Sequence, residues 1–151
     1  MDLNLNNKIT IVTGGAKGIG EAITRSVAAE GGIPVILGRS KEAGENLKKD
    51  LSDNGQEALA LCYELSPAEN CEVAVSTVIE KYGRIDALVN NAGVNDGIGL
   101  EKGQPKQFRY SVESNLFHYY YMAHYCFPEL KKSEGSIVNI SSKTAITGQG
   151  N

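Results

Sequence analysis

The sequence is poor in the features that mark several protein classes. It has three cysteines, Cys62, Cys71 and Cys126, among 151 residues. Their number is odd and no two stand at metal-ligand spacing, which argues against a disulfide framework or a thiolate metal centre. Each lies in an apolar or helical context, so all three are expected as small core residues. No apolar run reaches membrane-spanning length, and the polar stretch Met1 to Lys8 lacks the apolar region of a secretory signal. Positive charge is not in excess: 15 Lys and Arg stand against 18 Asp and Glu. That balance argues against nucleic acid or an anionic membrane as the main partner. Repeats, low-complexity tracts and linkers are absent as well. One domain over residues 1–151, in a reducing cytoplasmic compartment, is the resulting expectation.

What is present is an alternation. Five short apolar runs, Ile9–Val12, Val35–Leu37, Ala58–Leu61, Ile85–Val89 and Ser136–Ile140, are separated by segments of helical period. The runs are largely continuous, which predicts strands buried on both faces of a parallel sheet. Ile19, Ile23 and Val27 form one helical stripe, ended by Gly31-Gly32 and Pro34. Ala43, Leu47 and Leu51 form a second, closed by Asn54-Gly55. Ser66-Pro67 reads as an N-cap before the stripe Cys71, Val75, Val78, Ile79, Tyr82, which Gly83 stops. The longest stripe is Phe108, Val112, Leu116, Tyr119, Ala123, Cys126 and Leu130, and Glu134-Gly135 separates it from the last strand. Alternating β and α units with short connections predict an α/β, doubly wound parallel sheet of the Rossmann type.

The first strand runs into Thr13-Gly14-Gly15-Ala16-Lys17-Gly18-Ile19-Gly20. Strand, glycine turn and helix N-terminus occur in the order that a dinucleotide fingerprint requires. Glycines let the main chain approach a pyrophosphate closely, and the free N–H groups of the next helix face the anion. An isolated glycine turn is equally a tight connection; the flanking strand and helix favour the phosphate cradle. Gly14, Ala16, Lys17, Gly18, Ile19 and Gly20 are therefore candidate cofactor contacts.

The other strand ends add to it. The second ends Leu37-Gly38-Arg39-Ser40, without the acid that accepts from a ribose 2′-OH. Arg39, with Lys17 nearby, suits a 2′-phosphate, so NADP is expected, with NAD as second choice. Two solvated cations are the plainer alternative. Glu64-Leu65-Ser66 follows the third strand, where Glu64 could accept from an adenine amino group and Leu65 could cover the ring. Asn90-Asn91-Ala92-Gly93 follows the fourth strand, on the sheet edge where open α/β folds bind ligands. Asn115 lies inside the longest apolar stripe. A buried amide without partners costs about 1–3 kcal/mol, so it must bond to backbone, water or another side chain. Asn139-Ile140-Ser141-Ser142 closes the fifth strand. No His/Asp pair accompanies Ser142, so it suits donation to a carbonyl better than nucleophilic attack. His118 and His124 read as packing or surface residues.

Together these motifs resemble the classical short-chain dehydrogenase/reductase family. Thr13 to Gly20 matches its TGxxxGxG turn and Asn90 to Gly93 its NNAG motif. Asn115 falls at the family's catalytic asparagine and Ser142 at its catalytic serine. Asn91 to Gly97, Asn115 to Tyr120 and Ser142 to Ala145 also look like the L-fucose dehydrogenase branch. The resemblance implies hydride transfer between nicotinamide and a carbinol or carbonyl carbon of a small molecule. It implies a serine that positions the substrate oxygen, an asparagine that holds a water, and a homo-oligomer. Asn95, Asp96 and Gln149 would suit a sugar site.

One part of the family pattern is missing. The acid/base tyrosine of a YxxxK motif falls beyond Asn151, and none of the seven tyrosines has a lysine four positions on. The expectation is an oxidoreductase domain incomplete at its C-terminal end, broken at a flexible Gly148-Gln149-Gly150 segment. Its fifth strand would present an apolar edge. A non-catalytic dinucleotide-binding module and an inactive fragment are the alternatives.

Overall fold

A computed structural model describes residues 3–147. The Gly148-Gln149-Gly150 segment, including Gln149, lies outside the described residues.

The apolar runs become five strands: β1 Ile9–Thr13, β2 Ile33–Gly38, β3 Leu59–Cys62, β4 Ala87–Asn90 and β5 Ser136–Asn139. They form one sheet in the order β3-β2-β1-β4-β5, and every pairing is parallel. Between them run α1 Gly18–Ala29, α2 Lys41–Asp53, α3 Ala68–Tyr82, α4 Pro105–Val112 and α5 His118–Ser133, with a short α6 Thr144–Thr147 after β5. The doubly wound Rossmann sheet is thus present.

Strand alternation divides the core into two layers. Ile9, Ile11, Val35, Leu37 and Leu88 pack with Cys71, Val75 and Val78 of α3 and with Met122, Cys126 and Leu130 of α5. Ile36, from the other face of β2, packs with Ala28 of α1 and with Leu47 and Leu51 of α2. A fully buried side chain such as Ile11 or Leu88 contributes about 1.5–3 kcal/mol, and both are 0% exposed.

Continuous burial holds only in the centre. All of β1 is buried, but β3 is half-buried and β5 is exposed throughout. Both lie at the sheet edges, where fewer elements cover them. Cys62, at the end of β3, is exposed rather than in the core, and its thiol donates to the Arg39 carbonyl at 3.2 Å. Cys71 and Cys126 are core residues, and burial pushes their thiols up to about 11 and about 12. Ile19 does not join the buried stripe of α1: it is exposed, and the helix buries Gly20, Thr24, Val27 and Ala28. The cap of α3 is Pro67, with no side-chain hydrogen bond, rather than Ser66.

The longest predicted stripe is also re-indexed. One turn of π-helix, Glu113–Phe117, separates α4 from α5. Its wider turn shifts the phase of everything that follows. Leu116, inside that turn, faces out, as does Phe108 of α4, a helix with no buried residue; Cys126 and Leu130 are buried as expected, joined by His118 and Met122.

The amino-terminal edge of the sheet is fastened by Asp86. Its side chain is 6% exposed. It accepts from the Ile9 N–H at 2.9 Å, from Lys8 Nζ at 3.2 Å and from Arg84 Nε at 2.9 Å, and Arg84 Nη2 closes a second contact. Burial pushes this carboxyl up, but the hydrogen bonds outweigh burial and hold it below its ordinary range. Such a group stabilises the fold above its unfolded-state value near 4, and the contribution is lost as pH falls through the lower native value. Asp86→Asn should cost about 1–3 kcal/mol at neutral pH. In urea melts at a series of pH values, the gap between variant and wild type should narrow below about pH 4. A constant gap would contradict this role.

Candidate functional site

The carboxyl ends of β1, β2, β3 and β4 open on one edge, as parallel strands require. Two adjoining recesses lie there, of about 510 and 770 Å³ including their open mouths. Gly14, Gly38, Arg39, Ala92 and Gly93 line both. The first continues to Tyr63, Glu64, Leu65, Ser66, Val94, Ser114 and His118. The second continues to Ala16, Lys17, Ser40 and Asn91.

The glycine turn is shaped by close approach. Gly14 has φ +64°, and a Cβ there would meet Ala92 Cα at 3.0 Å. At Gly20 a Cβ would stand 2.1 Å from the Gly14 carbonyl oxygen, so only glycine lets α1 begin where it does. Gly18, Ile19 and Gly20 shape this start without lining either recess.

Thr13, which sequence reasoning passed over as part of the turn, knits the edge together. Its buried hydroxyl accepts from the Asn91 N–H at 2.9 Å and the Ala92 N–H at 3.0 Å, and donates to the Val89 carbonyl at 3.4 Å. Asn91 answers by donating its side-chain amide to the Thr13 carbonyl at 2.9 Å. Asn91 thus fixes the wall of the recess with its side chain. Asn90 performs the same service toward β5, donating to Asn139 Oδ1 at 3.0 Å and the Tyr119 carbonyl at 3.2 Å. Ser40 caps α2, accepting from the Ala43 N–H at 3.3 Å.

Glu64 accepts from the Leu65 N–H at 3.2 Å and the Ser66 hydroxyl at 3.5 Å. Its other oxygen stands 3.6 Å from Arg39 Nη1. Lys17 has no ion-pair partner among the described residues.

Asn115 sits in the π-helical turn and finds the partners that burial demanded. Its Oδ1 accepts from the Val94 N–H at 2.7 Å, and its Nδ2 donates to the Ser111 carbonyl at 2.9 Å. It thereby ties the segment after β4 to the helix across the cleft. His118, one turn on, is buried, with Nε2 3.1 Å from the Ala92 carbonyl. Burial, the largest influence on it, lowers its pKa. Ser114 Oγ is buried on the recess wall with no hydrogen-bond partner among the described residues, a polar atom suited to a polar ligand. Tyr63, Ser114 and His118 were missed as lining residues; the first was signalled by its place at a strand's carboxyl end, the others by their spacing from Asn115. Ser142 is exposed, beyond the carboxyl end of β5. Asn95 and Asp96 accept from the N–H groups of Gly97 and Ile98, each at 3.3 Å, within their own exposed loop.

A glycine turn, two cations and a partly apolar slot at the carboxyl edge of a parallel sheet define a nucleotide-binding α/β protein. The comparisons with known proteins narrow that class. A model described as short chain dehydrogenase matches residues 8–151, and the chain belongs to that family. It is 32% identical to L-fucose dehydrogenase of Oryctolagus cuniculus over 143 residues, covering 94% of this chain and 49% of that protein. It is 34% identical to 12alpha-hydroxysteroid dehydrogenase of Clostridium sp. over 151 residues, covering 95% and 58%. Among solved structures, Cj0485 dehydrogenase superposes with a TM-score of 0.90 at 51% identity, covering 99% of this chain and 57% of that one. A metagenomic short-chain oxidoreductase in complex with NADP gives 0.86 at 30% identity, covering 91% and 63%. The chain spans about half the length of the curated relatives it matches.

The Thr13 knot has a direct test. Thr13→Val keeps the shape but leaves two part-buried N–H groups without their acceptor, at about 1–3 kcal/mol each. Chemical denaturation should show a loss of at least ~2 kcal/mol, and a neutral substitution would contradict the assignment.

Proposed function

We propose that these residues form the cofactor-binding part of an NADP-preferring oxidoreductase. Its reaction passes a hydride between nicotinamide and a hydroxyl or carbonyl carbon of a small molecule, with an aldose such as L-fucose as substrate. The observation that carries the cofactor reading is the recess itself. Glycine stands at the end of β2 where an acid would select NAD, and Arg39 and Lys17 line the same space. In this reading Gly14 and Ala16 to Gly20 hold the pyrophosphate, Arg39 and Ser40 face the 2′-phosphate, and Glu64 and Leu65 hold the adenine. Ala92 and Gly93 form the wall beside the nicotinamide ribose. A bound nicotinamide supplies the hydride-exchanging carbon.

The chain's own residues then orient and hold. Asn115 keeps the Ala92–Val94 segment in place through the Val94 N–H, and its family role is to hold a water. Ser142 donates to the substrate oxygen. The 151 residues contain no YxxxK pair, so the group that moves the proton is not among those described. Similarity to L-fucose dehydrogenases supports a sugar, whereas similarity to 12alpha-hydroxysteroid dehydrogenase supports a steroid alcohol. Exposed Asn95 and Asp96 beside the recess suit a polyol better than a steroid. A homo-oligomer is what the resemblance to the family implies for the whole protein. Among the described residues no helix is long and apolar enough to cross a membrane.

A steady-state assay of the full-length protein, with NADP or NAD and a panel of sugars and hydroxysteroids, tests this reading. Reduction of NADP by an aldose is expected. Turnover of a steroid alone would replace the substrate class, and binding without any turnover would mark a non-catalytic module. Arg39→Asp should move the NADP/NAD preference toward NAD by roughly tenfold or more, the loss of a charge-assisted hydrogen bond. An unchanged ratio would remove Arg39 from the 2′-phosphate site.

A further inference from the structure

Arg39 is not idle in this structure. Its guanidinium Nη1 stands 3.6 Å from Glu64 Oε2, across the mouth of the first recess. β2 and β3 are paired neighbours, with Gly38 opposite Cys62, so the residues that follow them emerge side by side. We infer that Glu64 is a specificity-determining residue: it holds Arg39 when no 2′-phosphate is present, and a 2′-phosphate must take Arg39 from it. The inference rests on the cofactor reading above and concerns what weakens the preference for NADP.

The two partners are held unequally. Glu64 Oε1 accepts from the Leu65 N–H at 3.2 Å and the Ser66 hydroxyl at 3.5 Å. The main-chain carbonyl of Glu64 accepts from the Asn70 amide at 2.8 Å. The carboxylate is therefore held by the segment between β3 and α3, whose backbone α3 anchors through Asn70, and offers one oxygen to the guanidinium. Arg39 has no second ion-pair partner among the described residues. Its side chain is the member that can turn from one anion to another.

The contact is a single long one rather than a fork, and both side chains are about half exposed, at 56% and 48%. Exposed pairs of this kind change an equilibrium by up to about fivefold. The pair is strong enough to tax a competing phosphate and too weak to exclude it. A ligand without the 2′-phosphate leaves the pair intact and pays nothing. Glu64 thus lowers the discrimination that Arg39 alone would give, and the chain accepts both cofactors more evenly than its cations suggest.

Glu64→Gln removes the charge while keeping an acceptor for Leu65 and Ser66. Calorimetric titrations with adenosine 2′,5′-bisphosphate and with AMP isolate the adenosine end and need no turnover. Relative to AMP, the variant should bind the bisphosphate about two- to fivefold more tightly, because any change in the adenine contact of Glu64 acts on both ligands alike and cancels in the ratio. In an Arg39→Ala background the same substitution should have no effect on the ratio. Glu64→Ala should act in the same direction and serves if the glutamine variant is poorly folded. Three results overturn the inference: an unchanged bisphosphate/AMP ratio, an equal change for both ligands, or a gain that persists without Arg39. If neither fragment nor either dinucleotide binds the wild type, the cofactor reading itself falls, and this inference with it.

Discussion

The carboxyl edge of the sheet must satisfy its own backbone before it can receive a ligand. That constraint is met chiefly by one hydroxyl. Thr13, buried at the end of β1, accepts two N–H groups from the segment after β4. Asn91 returns a bond to the Thr13 carbonyl. Backbone groups that would otherwise be orphaned are thereby paired. The start of α1 has no side-chain cap hydrogen bond at Lys17, and such a helix N-terminus suits an anion. Gly14 and Gly20 permit the approach; Thr13 and Asn91 fix its distance.

The second tie lies across the cleft. Asn115 and His118 reach from the helical side to the Val94 N–H and the Ala92 carbonyl. Both belong to the stretch where one π-helical turn changes the phase between α4 and α5. That turn brings His118, rather than Leu116, to the buried side. A polar pair, Asn115 and His118, therefore faces the segment after β4. At the opposite edge Asp86 gathers Lys8 and Arg84, so the two ends of the sheet are built for different tasks. One end neutralises its charge internally; the other carries Lys17, with no ion-pair partner among the described residues, and Arg39, with a loosely held one.

Much of this was legible in the sequence. Five apolar runs marked the strands because β1, β2 and β4 need aliphatic side chains on both faces. Gly31, Gly55 and Gly83 marked helix ends because each adopts a positive φ there. The partners of Asn115 were demanded in kind, since an amide in an apolar stripe cannot stay unpaired. What stayed hidden depends on contacts rather than pattern. A π-turn leaves no trace in hydropathy, so the stripe held at Cys126 and Leu130 but failed at Leu116, inside that turn. Burial of β3 and β5 depends on what covers the sheet edges, not on their own residues. Cys62 looked like its buried counterparts because its run is apolar, yet it stands where β3 leaves the sheet. Arg39 and Glu64 were each given a role toward a ligand; their pairing with each other became visible only in three dimensions.

The central claim is that the carboxyl edge of the sheet, from the glycine turn to the segment after β4, is a dinucleotide site. Amide hydrogen exchange with and without NADP tests it most directly. The account predicts slowed exchange in Gly14 to Gly20, at Arg39 and Ser40, at Leu65, and in Ala92 to Val94, with the Asp86 edge unchanged. Uniform protection, or protection confined to any other surface, would contradict it.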